Sequence, residues 1–319
     1  MRIERYKTEY ADEWNKFVDG SKNGTFLFNR GYMDYHSDRF KDHSLMFYND
    51  RNRLVALLPA NESGRTYYSH QGLTYGGYVL APDIHGEEVI EIFELTLNYL
   101  RAKGFKEYYY KQIPSPYHLI PSQEEDYALW KNNAELIACG LSSSIRIDGR
   151  VPQTNNVSRK KIRYDWRKLS RNGYNVVHDA DINSFWPILE KNLRERHNVS
   201  PTHSLEEILM LKEHFPKNIV CYVATNNRNE PESGAILYLS SQVVHVQYMS
   251  PSENGRNTGA LDYLINELVD YYSSLNGFQY FDFGISTEQN GSVLNEGLLK
   301  QKERMGGRGT VYKTWRINI

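Results

Sequence analysis

The sequence predicts a mixed α/β (α+β) chain made of two successive units, each a mixed, mainly antiparallel sheet flanked by helices. Three observations carry this. One order of strands and helices is legible twice along the 319 residues. The segments YLRAKGFKEYYYK (99–111) and YYSSLNGFQYFDF (271–283) both run helix, glycine, phenylalanine, strand. Between the halves lies a polar stretch containing a proline, GRVPQTNNVS at 149–158, which suits a boundary and divides the chain into 1–150 and 151–319.

The first half opens with the strand MRIERY, followed by the helix candidates DEWNKFV and GYMDYHSDRF. SLMFYN and RLVALLPA form a hairpin around Asp50–Asn52, and RTYYSH is a third strand. Over 86–103, Val89, Ile92, Phe93, Thr96, Leu97 and Leu100 fall on one helical stripe. GFKEYYYK is then a strand, EDYALWKNNA a helix and LSSSIRID a strand. The second half repeats the order. NVVHDA is a strand, and 182–197 carries Phe185, Ile188, Leu189 and Leu193 at helical spacing. Ser204 opens SLEEILMLKEHF, with Glu207 completing a capping box. NIVCYVAT, GAILYLS and VVHVQYM are strands, and a helix over 257–275 places Leu261, Leu264, Ile265, Leu268 and Tyr272 on one face. GFQYFDFG is a strand, 293–304 a short helix and GTVYKTWRI a last strand. Gly104 and Gly277 suit left-handed helix C-caps.

A net charge of −1 supplies no general field for nucleic acid. The two cysteines, Cys139 and Cys221, lie far apart in apolar surroundings, which suits buried thiols in a reducing compartment rather than a disulfide or metal framework. No apolar run is long enough to span a bilayer and MRIERYKTEYADEW has no targeting segment, so a cytoplasmic protein without membrane insertion is expected. His197 and His203 lack both zinc-protease spacing and a nearby third ligand, and no metal is expected.

Strand, two helices, three antiparallel strands, helix, strand, helix, strand is the order of the GNAT acyltransferase fold. Two such units in tandem resemble the Fem-type (FemAB-like) transferases and the related GNAT-like acetyltransferases. FDFGIS, Phe281–Ser286, resembles that family's DFG-S strand end. QKERMGG, Gln301–Gly307, resembles its FK-x-x-FGG segment, with Gln301 and Met305 at the two phenylalanine positions. The whole chain is similar to such proteins found in surface-polysaccharide gene clusters of Bacteroidetes. The long helical-hairpin insertion of some Fem proteins is absent, which argues against a transfer-RNA partner.

The resemblance implies an acetyl-CoA or other acyl-CoA donor whose pyrophosphate meets the loop Gly255, Arg256, Asn257, Thr258, Gly259 and Ala260. Glycines there permit close backbone approach, and amides at a helix start attract an anion. The pattern Arg-x-x-Gly-Ala is one residue shorter than the family's, and a capped helix behind a plain turn is the other reading. His245 and Gln247 alternate with Val244 and Val246 and so share a strand face; His245 is a candidate base or an ordinary hydrogen-bonded strand histidine. Asp282 and Ser286 sit at a strand end, where Asp282 serves the site or only caps the sheet. Lys302 matches the lysine of the FK segment, which in the family stabilises charge, or it is a surface helix lysine.

Tyr68, His70, Gln71 and Tyr75 lie in YYSHQGLTYGGYVL, the first-half counterpart of the donor loop, and suit contact with a sugar ring or peptide; a bulge and hairpin is the plain alternative. Arg194, His197 and His203 lie in RERHNVSPTHS (194–204), and the resemblance implies an acceptor-facing loop here, since the loop between the first two helices lines the acceptor cleft in the GNAT fold. SRKKIRYDWRKLSR at 158–171 is a basic run, read as a solvated helix face or as a phosphate contact. The expectation is an N-acyltransferase moving an acyl group to an amine of a cell-envelope or polysaccharide precursor, such as a nucleotide-linked sugar or a peptide. Acceptor is assigned to the first half and donor to the second. A Fem-type enzyme using aminoacyl-tRNA is the alternative, and a non-catalytic GNAT-fold binding protein a second one.

Overall fold

The computed structural model describes residues 1–149 and 166–319. The boundary near 149–158 and most of the basic run 158–171 fall outside these residues. The chain divides into two units, one of Met1–Leu141 with Thr287–Leu294 and Thr310–Ile319, the other of Ser142–Ser286 with Asn295–Gly309.

In the first unit, strand β1 (Arg2–Arg5), helix α1 (Ala11–Gly20), β2 (Leu45–Tyr48) and β3 (Leu54–Leu58) come first, then β4 (Thr66–Tyr68) and β5 (Val79–Leu80). Helix α2 (Gly86–Ala102), β6 (Glu107–Lys111), α3 (Glu124–Lys131) and the start of β7 (Glu135–Arg146) follow. β1, β2, β3 and β5 make an antiparallel sheet. β4 pairs with β6 in parallel. The hairpin turn around Asp50–Asn52 forms as expected, because Asn49 Oδ1 accepts from Arg51 N (3.1 Å) and Arg53 N (3.0 Å) while Asn52 takes the left-handed backbone that asparagine tolerates. The α2 stripe is wholly buried, and it packs with Phe47, Tyr78 and Tyr108 into one core.

Two expectations are corrected here. The helix expected over GYMDYHSDRF is one turn, Arg30–Met33, followed by a 3-10 turn. The buried Arg30 guanidinium donates to Asp34, Asp42 and Ser44, and this network sets the path of the chain. The C-terminal strand, assigned by sequence to the second half, lies in the first unit from Thr310 onward. Its residues 314–318 pair antiparallel with β6, from Thr314 opposite Lys111 to Asn318 opposite Glu107.

In the first turn of α3, Glu125 is buried and accepts from the Tyr110 hydroxyl and from Gln112 Nε2 (3.2 Å). Burial pushes its carboxyl from 4.5 up to about 8. The folded protein therefore holds a proton that the unfolded chain releases above pH 4.5. The associated stability is present below that pH and is lost as pH rises toward about 8. Chemical unfolding of Glu125→Gln between these limits should lack this slope, up to about 1.4 kcal/mol per pH unit.

In the second unit, β8 (Asn175–His178), α4 (Ile182–His197), α5 (Leu205–His214), β9 (Ile219–Thr225), β10 (Pro231–Leu239) and β11 (Val243–Pro251) are followed by a short helix α6 (Glu253–Thr258) and by α7 (Ala260–Ser274). Strand β12 (Tyr280–Ile285) and helix α8 (Glu296–Arg304) come next, and β13 (Arg308–Asn318) closes the chain. β8 to β11 pair antiparallel in order, β11 pairs with β12 in parallel, and β12 pairs antiparallel with the Ser142–Arg146 end of β7. The capping box at Ser204 is present, with Glu207 N to Ser204 Oγ at 3.2 Å and Ser204 N to Glu207 Oε2 at 2.8 Å. Gly104 takes the left-handed conformation just past α2, whereas Gly277 lies beyond the extended residue Leu275 that ends α7.

Candidate active site

The parallel pairing of β11 with β12 runs from Val243–Tyr280 to His245–Asp282 and stops there, although β11 continues to Pro251. His245 stands at the point where the two strands part. Val244 and Val246 face the core under α7, which turns His245 to the opposite face.

His245 Nδ1 lies 2.8 Å from Asp282 Oδ2. A carboxylate only accepts, so the ring donates from Nδ1, and in the neutral ring the lone pair lies on Nε2. Asp282 has no exposed surface, while 12% of the His245 side chain remains accessible. The other carboxylate oxygen accepts from Ser142 Oγ (2.9 Å) and Ser144 Oγ (2.8 Å) on β7. Hydrogen bonds from donors favour the ionised carboxylate in this buried place. A histidine oriented by an anchored carboxylate is the arrangement of a general base.

Past Asp282 the ladder slips, and Ile285 rather than Gly284 faces Ser142. Gly284 forms this bulge at φ 71°. Lys302 on α8 locks it, donating to Gly284 O (2.8 Å) and Ile285 O (2.7 Å). Burial pushes its amine down to about 8, opposed by the charge of Asp282. Lys302 thus lies at the dyad strand, not on a helix surface, and holds the shape of the β12 end. The glycine pair after it is also spatial: a Cβ on Gly307 would lie 2.9 Å from that of Ser143. Ser286 is buried, and no hydrogen-bond partner for its hydroxyl is present among the described residues.

Gln247 departs from the expected pattern. Val246 pairs with Leu237 and Tyr248 with Ile236, so Gln247 is an extra residue in a β-bulge and the alternation from His245 is broken. Its side chain meets the Tyr248 hydroxyl instead. That hydroxyl also lies 2.7 Å from His203 Nδ1, and Trp186 packs edge-on to the Tyr248 ring. Arg194 lines a cavity of about 300 Å³ with Ser200 and Glu190, and Glu190 Oε1 accepts from Trp186 Nε1 at 2.9 Å. The side chain of His197 lies outside the described residues.

The loop expected to cradle a pyrophosphate is a closed helical turn. Ser252 caps α6, with Gly255 N donating to its Oγ (2.9 Å) and Arg256 N to its carbonyl (3.0 Å), while Gly259 N donates to Gly255 O (3.0 Å). Arg256 is held by Asn192 Oδ1 at 2.7 Å, and Thr258 donates to Glu232 Oε2 at 3.0 Å. Asn257 is exposed and Ala260 buried. Burial alone would raise the Glu232 carboxyl, yet Tyr174, Asn226, Thr258 and Asn254 together hold it below its usual range. Gly255 is a glycine because its Cβ would fall 1.9 Å from Glu232 O. With the amides of Gly255, Arg256 and Gly259 taken by the chain and an ionised carboxylate beneath, this turn does not fit a pyrophosphate.

In the first unit, Tyr68, His70 and Gln71 line one cavity. Tyr75 does not. It is buried against Phe28 and Tyr117, with its hydroxyl on Thr25 Oγ1 at 3.2 Å. The glycines beside it serve packing, since a Cβ on Gly76 would lie 1.9 Å from Ser69 O.

The family model described as acetyltransferase (GNAT) domain matches residues 156–290, which include the dyad. This segment is thus similar to a GNAT acetyltransferase domain, and the mixed sheet flanked by helices fits that fold. Among solved structures it is similar to FemX, at 10% identity and TM-score 0.72, over 100% of this chain and 98% of that one. It is similar to L-PGS from Bacillus licheniformis, at 15% identity and TM-score 0.62, over 99% and 93%. A tandem GNAT protein from the clavulanic acid biosynthesis pathway aligns at 11% identity and TM-score 0.50, over 99% and 98%. No curated protein matches in sequence. No helix among the described residues is long and apolar enough to cross a membrane, and none of their His, Cys, Asp and Glu side chains form a metal-holding group of three or more.

Proposed function

We propose that the chain transfers an acyl group from an activated carrier to an amine, with His245 as the base and the second unit as the donor-binding half. The observation that carries this is the buried Ser142/Ser144–Asp282–His245 chain at the parting of two parallel strands. Nε2 takes the proton from the incoming ammonium, and Asp282 steadies the imidazolium that results. The amine nitrogen then bonds to the acyl carbon. A main-chain amide on the unpaired edge of β11 stabilises the tetrahedral oxyanion; the nitrogen then gives its extra proton to water, and the bond to the carrier breaks as the leaving atom takes the proton held on Nε2. Lys302 and Ser142 act through the strand end and the carboxylate, as positioning residues.

The first unit is assigned to the acceptor, a cell-envelope or polysaccharide precursor carrying an amine, and the reaction to the cytoplasm. Acetyl-CoA or another acyl-CoA is the first donor to test. The internal use of the amides of Gly255, Arg256 and Gly259 favours a second reading, in which the donor is not gripped by a pyrophosphate there, as with an aminoacyl ester of transfer RNA.

Thiol release from acetyl-CoA, measured with free and nucleotide-linked amino sugars, separates the readings from a parallel assay with charged transfer RNA, with and without ribonuclease. Release that needs the amine supports the first. Ribonuclease-sensitive transfer supports the second. Activity with neither donor would leave a binding protein and overturn the enzymatic reading.

A further inference from the structure

The repeat places a second pair of residues where the dyad stands. In the first unit the parallel register of β4 with β6 ends at Tyr68–Tyr109, as that of β11 with β12 ends at His245–Asp282. The base and its carboxylate are replaced by two phenols, stacked with centroids 5.2 Å apart. Both line a cavity of about 450 Å³ built from first-unit residues, the size of a small-ligand site. We propose that this cavity binds a sugar ring bearing an oxyanion, with the ring against Tyr68 and the oxyanion on Lys111.

The lining gives the chemistry. Lys111 is its one ionised side chain among the described residues, and no carboxylate lines it. The Lys111 ammonium is held by Gln71 O (3.0 Å) and Leu73 O (2.7 Å), which leaves the third of its three donors for a ligand. Burial lowers its amine to about 8, so an anion that pairs with it relieves an unfavourable charge. Around the aromatic wall stand neutral groups that exchange hydrogen bonds with hydroxyls: Ser69, Gln71, Asn290 and Thr314. Ile137 and Ala138 supply a small apolar wall. Two lining residues, His70 (φ 65°) and Asn290 (φ 56°), hold left-handed backbone, a strain that collects at binding sites. Burial pushes the His70 imidazole down to about 3, so it adds no competing charge. No carboxylate-anchored base lines the cavity, which suits binding without catalysis.

This rests on the acceptor reading of the first unit only in naming the occupant as acceptor; binding is measured without donor and stands or falls apart from turnover. Calorimetric titration of the whole chain with glucuronic acid, glucose 1-phosphate and glucose is the test. At least one anionic sugar should bind about 10–100-fold tighter than glucose. The tighter of the two identifies carboxylate or phosphate, and equal binding means the oxyanion alone is read. Affinity should fall as pH rises through about 8, as Lys111 loses its proton. Lys111→Met should bring the anionic sugars to the level of glucose. Because Lys111 also holds two carbonyls, Tyr68→Ala, on a partly exposed ring, is the second variant and should weaken all binding about tenfold. No binding of either anionic sugar, glucose binding as tightly as they do, or affinities unchanged in a folded Tyr68→Ala protein would overturn the proposal.

Discussion

Replacing Asp282 with asparagine is expected to lower turnover about 10²–10⁴-fold, close to the loss expected for His245→Ala. Asparagine keeps the size of the side chain and can still accept from Ser142 and Ser144 through its carbonyl oxygen. Its NH₂ group then faces His245 Nδ1, which must accept instead of donate. The proton moves to Nε2, and the ring presents a donor where the reaction needs a base. Thermal stability should change far less than turnover, because the buried amide retains its hydrogen bonds. A loss of turnover matched by a loss of folded protein would instead assign Asp282 a purely structural role. Steady-state rates and a melting curve on the same sample decide this.

Phe185→Ala is expected to destabilise the protein by about 3–5 kcal/mol. Phe185 has no exposed surface and covers Gly234 of β10, where an added Cβ would lie 2.2 Å from its ring. Gly234→Ala should by itself destabilise by about 1–3 kcal/mol through overpacking. In the double variant the new methyl enters the cavity left by the ring. The two losses should then fall short of their sum by about 0.5–3 kcal/mol. Denaturant unfolding of the four proteins measures the coupling, and strict additivity would mean that the α4–β10 contact does not set the glycine at 234.

The buried stripe of α2, the capping box at Ser204 and the hairpin at Asp50–Asn52 were legible because each depends on residues within a turn or two of one another. His245 and Asp282 were each legible as polar residues on apolar strands. Their partnership was not, since it is set by the parallel register of strands separated by a whole helix. Ser142 and Ser144 were missed for the same reason: they reach Asp282 from a strand about 140 residues earlier. Three serines in a row on a predicted strand were the available signal. Gln247 was misplaced because one bulge residue cancels the alternation on which the reading relied. The turn at 253–258 was not foreseen for want of weight on Ser252, whose position before Glu253 marks a helix start and whose cap takes the amides of Gly255 and Arg256. Tyr75 shared a local composition with Tyr68 and His70, but burial depends on packing partners such as Phe28 that composition does not reveal.

The central claim is that His245 and Asp282 act as one proton-transferring unit in acyl transfer. The most direct test is the rate of amide formation by the wild-type protein, His245→Ala, Asp282→Asn and the double variant, with whichever donor supports turnover. The account predicts that each single variant loses about 10²–10⁴-fold and that the double loses little more than either, because the second change removes a group that no longer has a partner. Full turnover in His245→Ala, or losses that multiply in the double variant, would contradict it.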